Sequence, residues 1–480
     1  MTKLSGIEPK EVFEYFEKIC SIPHGSGNME RISKFCLDFA EENGLKAIRD
    51  DGKNVIIYKD GTEGYEDAEP IILQGHIDMV CQKTPGSMID FEKDGIEAFE
   101  EEGFLRARGT TLGADNGIAV AMIMAILARR DLSHPPIEAV LTTDEEIGML
   151  GASVLDETVL KGTRMINLDA EEEEYVTVSC AGGSDFKIFL PFQREKVTGT
   201  RMEIELEGLL GGHSGVEIDK GRVNANILMG RMLRYLHNNT DLDIISVNGG
   251  DKMNAIPRYS RGEVIVRDAE KAEELLRSYF KIVKEEIQSR EPGCELKVTR
   301  CEKGEFHPLC KDAANKLVYM LLTTPDGILE MSKDIDGLVE TSLNLGVLET
   351  GEDKIFMQYA LRSNKASALD FLEDKLSVFA EYNGCNTEIS GRYQPWEYKE
   401  ASALRDLYIE TYQKKYGKAP HISAIHAGLE CAVFSDKIKN LDCIAIGPDM
   451  TGVHTTEEKL SISSVKRVYD CLCDTLKYCK

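Results

Sequence analysis

The stretch Leu73-Gln-Gly-His-Ile-Asp-Met-Val80 closes an apolar run that begins at Pro70. A short, β-branched apolar run of this kind predicts the end of a buried strand. His76 and Asp78 follow two positions apart, and residues i and i+2 of an extended chain point to the same face. The two side chains are therefore expected to converge on one point at the carboxyl end of the strand.

Strand-like and helix-like segments alternate on both sides of this stretch. The segments NVIIYKD, IEAVLTTDEE and RMINLDAEE have the character of strands, and NGIAVAMIMAILARR that of a strongly apolar helix. This alternation predicts an α/β domain with a mostly parallel sheet. Helix-like and strand-like segments alternate again over residues 401–480, which are expected to complete the same sheet.

The middle of the chain predicts an inserted α+β domain with a weak internal repeat. A strand followed by an amphipathic helix is read from NAIPRYSRGEVIVRDAEKAEELLRSYFKIV, and again from GEDKIFMQYALRSNKASALDFLEDKLSVFAEY. Two such units in tandem would form a pseudo-symmetric lid. The predicted boundaries are 1–185 for the first part of the α/β domain, 186–390 for the lid and 391–480 for the second part.

Composition argues against some classes of partner. The chain has 57 basic and 83 acidic residues, a net charge of −26, which argues against nucleic acid or an anionic membrane. The N-terminal sequence lacks the apolar core of a signal peptide, and no stretch is apolar enough to cross a membrane. The 13 cysteines are scattered without a Cys-x-x-Cys pair. These features predict a cytoplasmic protein with reduced thiols.

Five residues at or just after the ends of predicted elements are candidate metal ligands. They are His76, Asp115 in TLGADNGIAV, Glu146 after IEAVLTTDE, Asp169 in RMINLDAEE and His454 in GPDMTGVHTTEE. In open α/β sheets, ligands bind outside the carboxyl ends of the strands. If Asp115 is shared, each of two divalent ions receives one imidazole and two carboxylates. This donor set suits zinc, with cobalt or manganese as alternatives.

Two further acidic residues have expected roles beside this set. If Glu146 binds a metal, its neighbour Glu145 is left beside the metal-bound water as a general base. Asp78 can accept a hydrogen bond from the second nitrogen of His76, which fixes the tautomer of the ring. Each residue alone also has an ordinary structural interpretation. Asp115 would then be a helix N-cap, and the acidic run Glu171–Glu174 a solvated loop.

Several sequence blocks resemble a known family. GHIDMV, TLGADNG, TTDEEIGMLGA, NLDAEE and GVHTTEE resemble, in order, the five metal-site blocks of the zinc metallopeptidase family that includes carboxypeptidase G, aminoacylases and dipeptidases. IPHGSGNME, GLLGGHSGVEI and HAGLECAVF resemble its Xaa-His dipeptidase branch, the aminoacyl-histidine dipeptidases. The resemblance implies hydrolysis of small peptides, including Xaa-His dipeptides such as β-alanyl-histidine, by a water that two zinc ions activate.

The resemblance also implies a role for each matching residue. One zinc is assigned to His76 and Asp169 and the other to Glu146 and His454, with Asp115 as the bridge, Asp78 orienting His76 and Glu145 as the base. The remaining assignments concern the substrate: His213 in GGHSG polarises the scissile carbonyl, Asn254 in NAIP and Arg362 in YALRSN are lid contacts, and Gly428 in HAGLE is a backbone contact from the catalytic domain. The ordinary alternatives are a glycine-histidine turn for His213 and a surface arginine for Arg362.

The residues leave other functions open. A deacylase or a carboxypeptidase would use the same scaffold, and a catalytically inactive binding protein would retain the fold. Monomer and homodimer are both compatible with the sequence.

Overall fold

The structure is a computed structural model that describes residues 4–480. Its α-helices are α1 (Lys10–Cys20), α2 (Glu30–Glu42), α3 (Ala114–Ala128), α4 (Leu150–Val154), α5 (Ala225–Asn239), α6 (Ala269–Ile287), α7 (Lys311–Thr323), α8 (Ala366–Tyr382), α9 (Ala403–Tyr416), α10 (Glu430–Lys437) and α11 (Ile462–Tyr478). Single turns of 3-10 helix cover Leu4–Gly6, Glu157–Val159 and Ile218–Lys220.

The strands are β1 (Lys46–Arg49), β2 (Val55–Lys59), β3 (Ile71–His76), β4 (Ala98–Glu101), β5 (Phe104–Ala107), β6 (Ile137–Thr142), β7 (Arg164–Asn167), β8 (Tyr175–Cys180), β9 (Gly182–Pro191), β10 (Val197–Glu207), β11 (Gly212–His213), β12 (Leu242–Gly249), β13 (Ala255–Ile256), β14 (Ser260–Val266), β15 (Glu295–Phe306), β16 (Gly327–Met331), β17 (Val339–Thr350), β18 (Lys354–Ser363), β19 (Asn386–Tyr393), β20 (His421–Ile425), β21 (Asp442–Ala445), β22 (Met450–Thr451) and β23 (Lys459–Ser461).

The chain divides into two compact units. Unit 1 comprises Met1–Cys180, Trp396–Ala424 and Leu429–Lys480, and unit 2 comprises Ala181–Pro395 and Ile425–Gly428. The boundaries predicted from the sequence, at 185/186 and 390/391, each differ from this division by about five residues. The prediction also lacked one feature, the grouping of Ile425–Gly428 with unit 2.

Unit 1 is built on an eight-stranded sheet with the order β1-β2-β6-β3-β7-β21-β8-β20. Its four central strands, β6, β3, β7 and β21, run parallel, as the alternation of strands and helices predicts. Strands β1, β2 and β8 are antiparallel to their inner neighbours. Because parallel strands end at the same edge of a sheet, the loops that follow the central strands lie close together.

The apolar sequences of unit 1 form its core. Every residue of β3 and of β6 is buried, which explains why both strands have few polar residues. The apolar helix α3 is almost wholly buried and packs against α1 and β3. Among the helices of residues 4–480, none has both the length and the apolar character to span a membrane.

Unit 2 contains a nine-stranded sheet whose main path is β15-β10-β14-β12-β17-β18-β9-β19, with β16 paired to β17. Each half contains an antiparallel strand pair, a helix and a final strand: β12, β14, α6, β15 and then β17, β18, α8, β19. The outer positions also match, since β10 lies between β14 and β15, and β9 between β18 and β19. The predicted fold class, with two tandem α+β units, is confirmed.

Candidate metal centre

Four of the five residues predicted as ligands lie at or after the ends of central strands of unit 1 or at the start of its apolar helix, and the fifth, His454, lies in a loop of unit 1. His76 is the last residue of β3. Glu146 and Asp169 lie in the loops that follow β6 and β7. Asp115 is the second residue of α3, and His454 lies between β22 and β23.

Asp115 lies between the two histidines. Its Oδ1 is 3.2 Å from Nε2 of His76, and its Oδ2 is 3.0 Å from Nε2 of His454. Oδ1 of Asp169 is 3.5 Å from Nε2 of His76. Oε1 of Glu146 is 2.9 Å from Nε2 of His454. The five side chains thus form two donor sets, each with one imidazole and two carboxylates, that share Asp115.

These separations are close to those that a pair of metal ions would require. Two ligand atoms bound to one tetrahedral zinc at about 2.0–2.2 Å are about 3.3–3.6 Å apart. Of the four histidine-carboxylate separations in the two donor sets, 3.5 Å lies within this range. The other three, 2.9–3.2 Å, are hydrogen-bond lengths, and a bound ion would lengthen them by up to about 0.4 Å to reach this range. Ligand atoms of His76, Asp115 and Glu146 also lie within 4.8 Å of one another. Imidazole and carboxylate donors together suit first-row divalent metals.

The carboxylates of the centre carry more negative charge than its two histidines neutralise. Within the described residues, the ion pairs of Asp115, Glu146 and Asp169 are all with His76 or His454. Burial raises the pKa of Asp169 to about 6; His76 opposes the shift, and Asp115 and Glu146 add to it. Hydrogen bonds with Asp115 and Glu146 raise the pKa of His454 to about 11. Bound cations would relieve this imbalance.

Asp78 connects the loop after β3 to the loop after β6. Its Oδ1 accepts the backbone N–H of Glu145 at 3.0 Å, and its Oδ2 accepts that of Glu146 at 3.3 Å. Nδ1 of His76 lies 3.1 Å from the backbone oxygen of Asp78 and 3.3 Å from its Oδ1. These acceptors favour a proton on Nδ1, so Nε2 is the nitrogen that would bind a metal ion once it has lost its own proton.

Glu145 has the environment of a proton carrier. Burial raises its pKa well above the ordinary value; His76 opposes the shift, and Asp169, Glu430 and Glu146 add to it. Its carboxylate accepts no hydrogen bond from the described residues. A carboxylate in such a setting is suited to accept a proton and return it.

Two buried residues that the sequence analysis did not single out surround Asp115. Asn116 accepts the backbone N–H of His76 through Oδ1 at 3.2 Å, and its Nδ2 donates to a carbonyl in the loop after β7 at 2.9 Å. Glu458 accepts backbone N–H groups of the turn that ends at Asp115. Asn116 follows Asp115 directly and Glu458 follows His454 by four residues, and this proximity was the available sequence signal.

Two ordinary interpretations of the sequence are wrong. The N-cap of α3 is Gly113, with φ of 69°, and Asp115 faces the two histidines instead. The acidic run is not simply a solvated loop, because Glu173 is buried and makes hydrogen bonds through both oxygens with Arg467. Glu174 pairs with Lys418.

The four residues predicted to contact substrate belong to unit 2. His213 pairs with Ala255 in the short ladder between β11 and β13, and the backbone N–H of Ser214 donates to the carbonyl of Asn254 at 2.8 Å. Nδ1 of His213 accepts the backbone N–H groups of Gly215 and Val216, each at 3.2 Å. In the neutral form of the ring, the proton would therefore lie on Nε2.

Gly215 allows three segments of unit 2 to approach closely. A Cβ atom at this position would lie 2.5 Å from the carbonyl oxygen of His426, 2.9 Å from Cε1 of His213 and 3.1 Å from Nε of Arg362. Gly428 lies two residues after His426 in the segment Ile425–Gly428. The sequence predicts that Gly428 belongs to the catalytic domain, which corresponds to unit 1. This prediction is corrected, because the segment Ile425–Gly428 groups with unit 2.

His426 is a further buried histidine beside Arg362 that the sequence analysis missed. Its Nε2 lies 2.7 Å from Oγ of Ser342 and its Nδ1 3.2 Å from Oδ1 of Asn364. Burial, with Arg362 and His213 nearby, lowers its pKa to about 3. The ring is therefore neutral, with Nδ1 donating to the amide oxygen and Nε2 accepting from the hydroxyl.

Comparisons with known proteins extend over nearly the whole chain. The model of Peptidase family M20/M25/M40 matches residues 72–478. The cytosol non-specific dipeptidase of Escherichia coli (strain K12) is 37% identical over 482 residues, which cover 99% of each chain. The crystal structure of aminoacylhistidine dipeptidase from Vibrio alginolyticus matches with a TM-score of 0.90 and 36% identity over 99% of this chain and 98% of that chain. Aminopeptidase PepT from Bacillus cereus ATCC 10987, 14% identical with a TM-score of 0.58, covers 98% of this chain and 99% of that one and shows a shared fold.

Asp115→Ala should remove more bound metal than either Asp169→Ala or Glu146→Ala. The reason is that Asp115 belongs to both donor sets, whereas Asp169 and Glu146 each belong to one. Elemental analysis of the three variants, purified from cultures with the same zinc supply, tests this order. Metal content equal to wild type in Asp115→Ala would contradict a shared carboxylate.

Proposed function

The chain belongs to Peptidase family M20/M25/M40, and we propose that it is a metal-dependent dipeptidase whose substrates include Xaa-His dipeptides such as β-alanyl-histidine. The observation that carries this proposal is the pair of donor sets that share Asp115, with the carboxylate of Glu145, which accepts no hydrogen bond within residues 4–480, directly before Glu146 in the loop after β6. Such an arrangement suits hydrolysis by an activated water.

The names of two relatives support the length and the class of substrate. The E. coli relative, 37% identical, is named a cytosol non-specific dipeptidase, and the Vibrio relative, 36% identical, is named an aminoacylhistidine dipeptidase. Both names specify dipeptides, and the second adds histidine. We therefore propose dipeptides as the substrate class, Xaa-His dipeptides as a preferred subset, and a cytoplasmic location.

The proposed cofactor is a pair of divalent ions, with zinc as the first choice and cobalt or manganese as alternatives. His76 and Asp169 would hold one ion, Glu146 and His454 the other, and Asp115 both. When bound, the ions would lower the pKa of a water molecule and polarise the scissile carbonyl.

Glu145 is proposed to carry the proton of the reaction. Its carboxylate takes a proton from the attacking water and delivers it to the leaving amine. Asp78 supports this role, because it binds the backbone N–H of Glu145 and also lies against the ring of His76. His213 is proposed to donate its Nε2 proton to the negative charge that develops on the carbonyl oxygen.

Arg362 is proposed to bind the terminal carboxylate of a dipeptide, with Asn254 and Gly428 as further substrate contacts. One of its terminal nitrogens, Nη1, donates to the hydroxyl of Tyr393 at 3.2 Å. Its Nε is buried and has no hydrogen-bond partner among the described residues. The planar guanidinium can pair with a carboxylate through two parallel hydrogen bonds.

A substrate screen distinguishes this function from its alternatives. Zinc-loaded protein is incubated with Xaa-His dipeptides, other dipeptides, N-acetyl amino acids and longer peptides, and the released amino acids are measured. We expect turnover of dipeptides, with Xaa-His among the best. Preferential turnover of N-acetyl amino acids would indicate a deacylase, and preferential shortening of longer peptides a carboxypeptidase. No hydrolysis of any substrate would favour a binding protein.

Glu145→Ala and Glu146→Ala should separate the base from the ligand. Glu145→Ala is expected to keep both metals and to lower kcat by about 10²- to 10⁴-fold, the usual contribution of general acid-base catalysis. Glu146→Ala should lose metal together with activity. Metal content and kcat are measured on the same samples. If Glu145→Ala lost metal while Glu146→Ala did not, the two roles would be exchanged.

Arg362→Ala should narrow the preference for a free dipeptide over its C-terminal amide, because the carboxylate loses its partner. The comparison is kcat/KM on a dipeptide and on its amide, in wild type and variant. Arg362→Lys should show part of this loss, since an ammonium group cannot reproduce the planar fork. Arg300→Ala is the control, because Arg300 lies on β15 and pairs with Glu273. A ratio unchanged in Arg362→Ala would place carboxylate recognition elsewhere.

A further inference from the structure

Glu458 is a buried carboxylate whose hydrogen bonds all go to one turn. Glu458 is only 3% exposed. Oε2 accepts the backbone N–H groups of Leu112 at 2.7 Å and Gly113 at 3.2 Å. Oε1 accepts those of Ala114 at 2.9 Å and Asp115 at 3.4 Å. Four consecutive backbone donors therefore converge on a single side chain from a distant part of the sequence.

The turn has no comparable support of its own. The first N–H groups of a helix have no partner within it, and Gly113, the N-cap of α3, offers no side-chain acceptor. Asp115 and Asn116 also have non-helical backbone angles, with ψ of 104° and 23°. Regular helix geometry therefore does not determine where the carboxylate of Asp115 lies, and Glu458 replaces the missing cap. A negative group is also favoured at a helix N-terminus.

The segment that carries Glu458 also carries His454. The backbone N–H of Glu458 donates to the carbonyl of Thr455 at 3.2 Å, and that of Thr455 donates to the carbonyl of Gly452 at 3.1 Å. The following strand, β23, pairs with β5. One short, internally bonded segment thus supplies an imidazole of one donor set and the support for the carboxylate that both sets share.

We propose that Glu458 is a positioning residue for the metal centre. Its carboxylate holds the 112–115 turn through four hydrogen bonds, so that Asp115 faces His76 and keeps its position relative to His454. The inference rests on the proposed function, because it concerns the same two metal ions. In this proposal Glu458 does not coordinate a metal ion itself. It acts through the backbone of Asp115. Its loss should weaken metal binding and change the geometry of the bound ions.

The test compares Glu458→Gln with a matched variant, Glu138→Gln. Glu138 is also buried in unit 1 and accepts the backbone N–H groups of Lys161 and Gly162, each at 3.0 Å. Glu138 is the second residue of β6, whereas the loop that contains Glu146 follows the last residue of that strand. Glu138 therefore lies at the end of β6 away from this loop. In both variants an amide replaces a buried carboxylate that receives backbone N–H groups, but only Glu458 contacts the turn of Asp115.

Affinity for Co²⁺ is measured by competition with a chelator, and the visible absorption spectrum of the bound Co²⁺ reports its geometry. Glu458→Gln should lower the affinity by about 10- to 100-fold, as changes behind metal ligands typically do, and should alter the spectrum. Glu138→Gln should lower the melting temperature but leave affinity and spectrum as in wild type. If Glu458→Gln does not fold, Glu458→Asp replaces it in the comparison. This variant keeps a carboxylate on a shorter side chain, so a smaller loss of Co²⁺ affinity is expected.

Two results would overturn the inference. One is a folded Glu458 variant with the Co²⁺ affinity and spectrum of wild type, and the other is an equal loss of Co²⁺ affinity in the Glu138 variant. A wild-type protein that binds no Co²⁺ or Zn²⁺ would overturn the proposed function instead. The two failures are therefore distinguishable.

Discussion

The carboxylate of Asp115 is the feature on which the rest of the centre depends. Its two oxygens face two histidines, His76 and His454, that are 378 residues apart in the sequence. Each histidine is also close to a second carboxylate, from Asp169 or Glu146. Like charges this close repel one another in a buried place, so a rigid frame and bound cations would both stabilise the arrangement. The parallel strands of unit 1 supply the frame, because their following loops meet at one edge.

Two buried carboxylates hold this frame together through backbone N–H groups. Asp78 binds the turn that presents Glu145 and Glu146, and Glu458 binds the turn that presents Asp115. In the proposed mechanism neither touches a metal, since each binds the backbone from which a proposed ligand or base extends. Unit 2 uses close packing in a similar way, because Gly215 lets the backbone beside His213 approach Arg362.

How much the sequence revealed depends on the range of the interaction. The end of β3, the apolar helix α3 and the two tandem units follow from local pattern, and the structure contains them. The burial of Glu458 does not follow, because TTEEK has the composition of an exposed turn and its partners are more than 340 residues away. The ordinary interpretation of the sequence places Asp115 at the N-cap of α3, since aspartate is a common N-cap. Gly113 has this position because a left-handed backbone there costs a glycine little.

The central claim is that Asp115 is shared by two metal ions, and anomalous diffraction from crystals of the zinc-loaded protein tests it most directly. The account predicts two anomalous peaks, one bound by His76 and Asp169 and the other by Glu146 and His454. Each peak should lie about 2.0–2.2 Å from one oxygen of Asp115. A single peak, or two peaks of which only one contacts Asp115, would contradict the account.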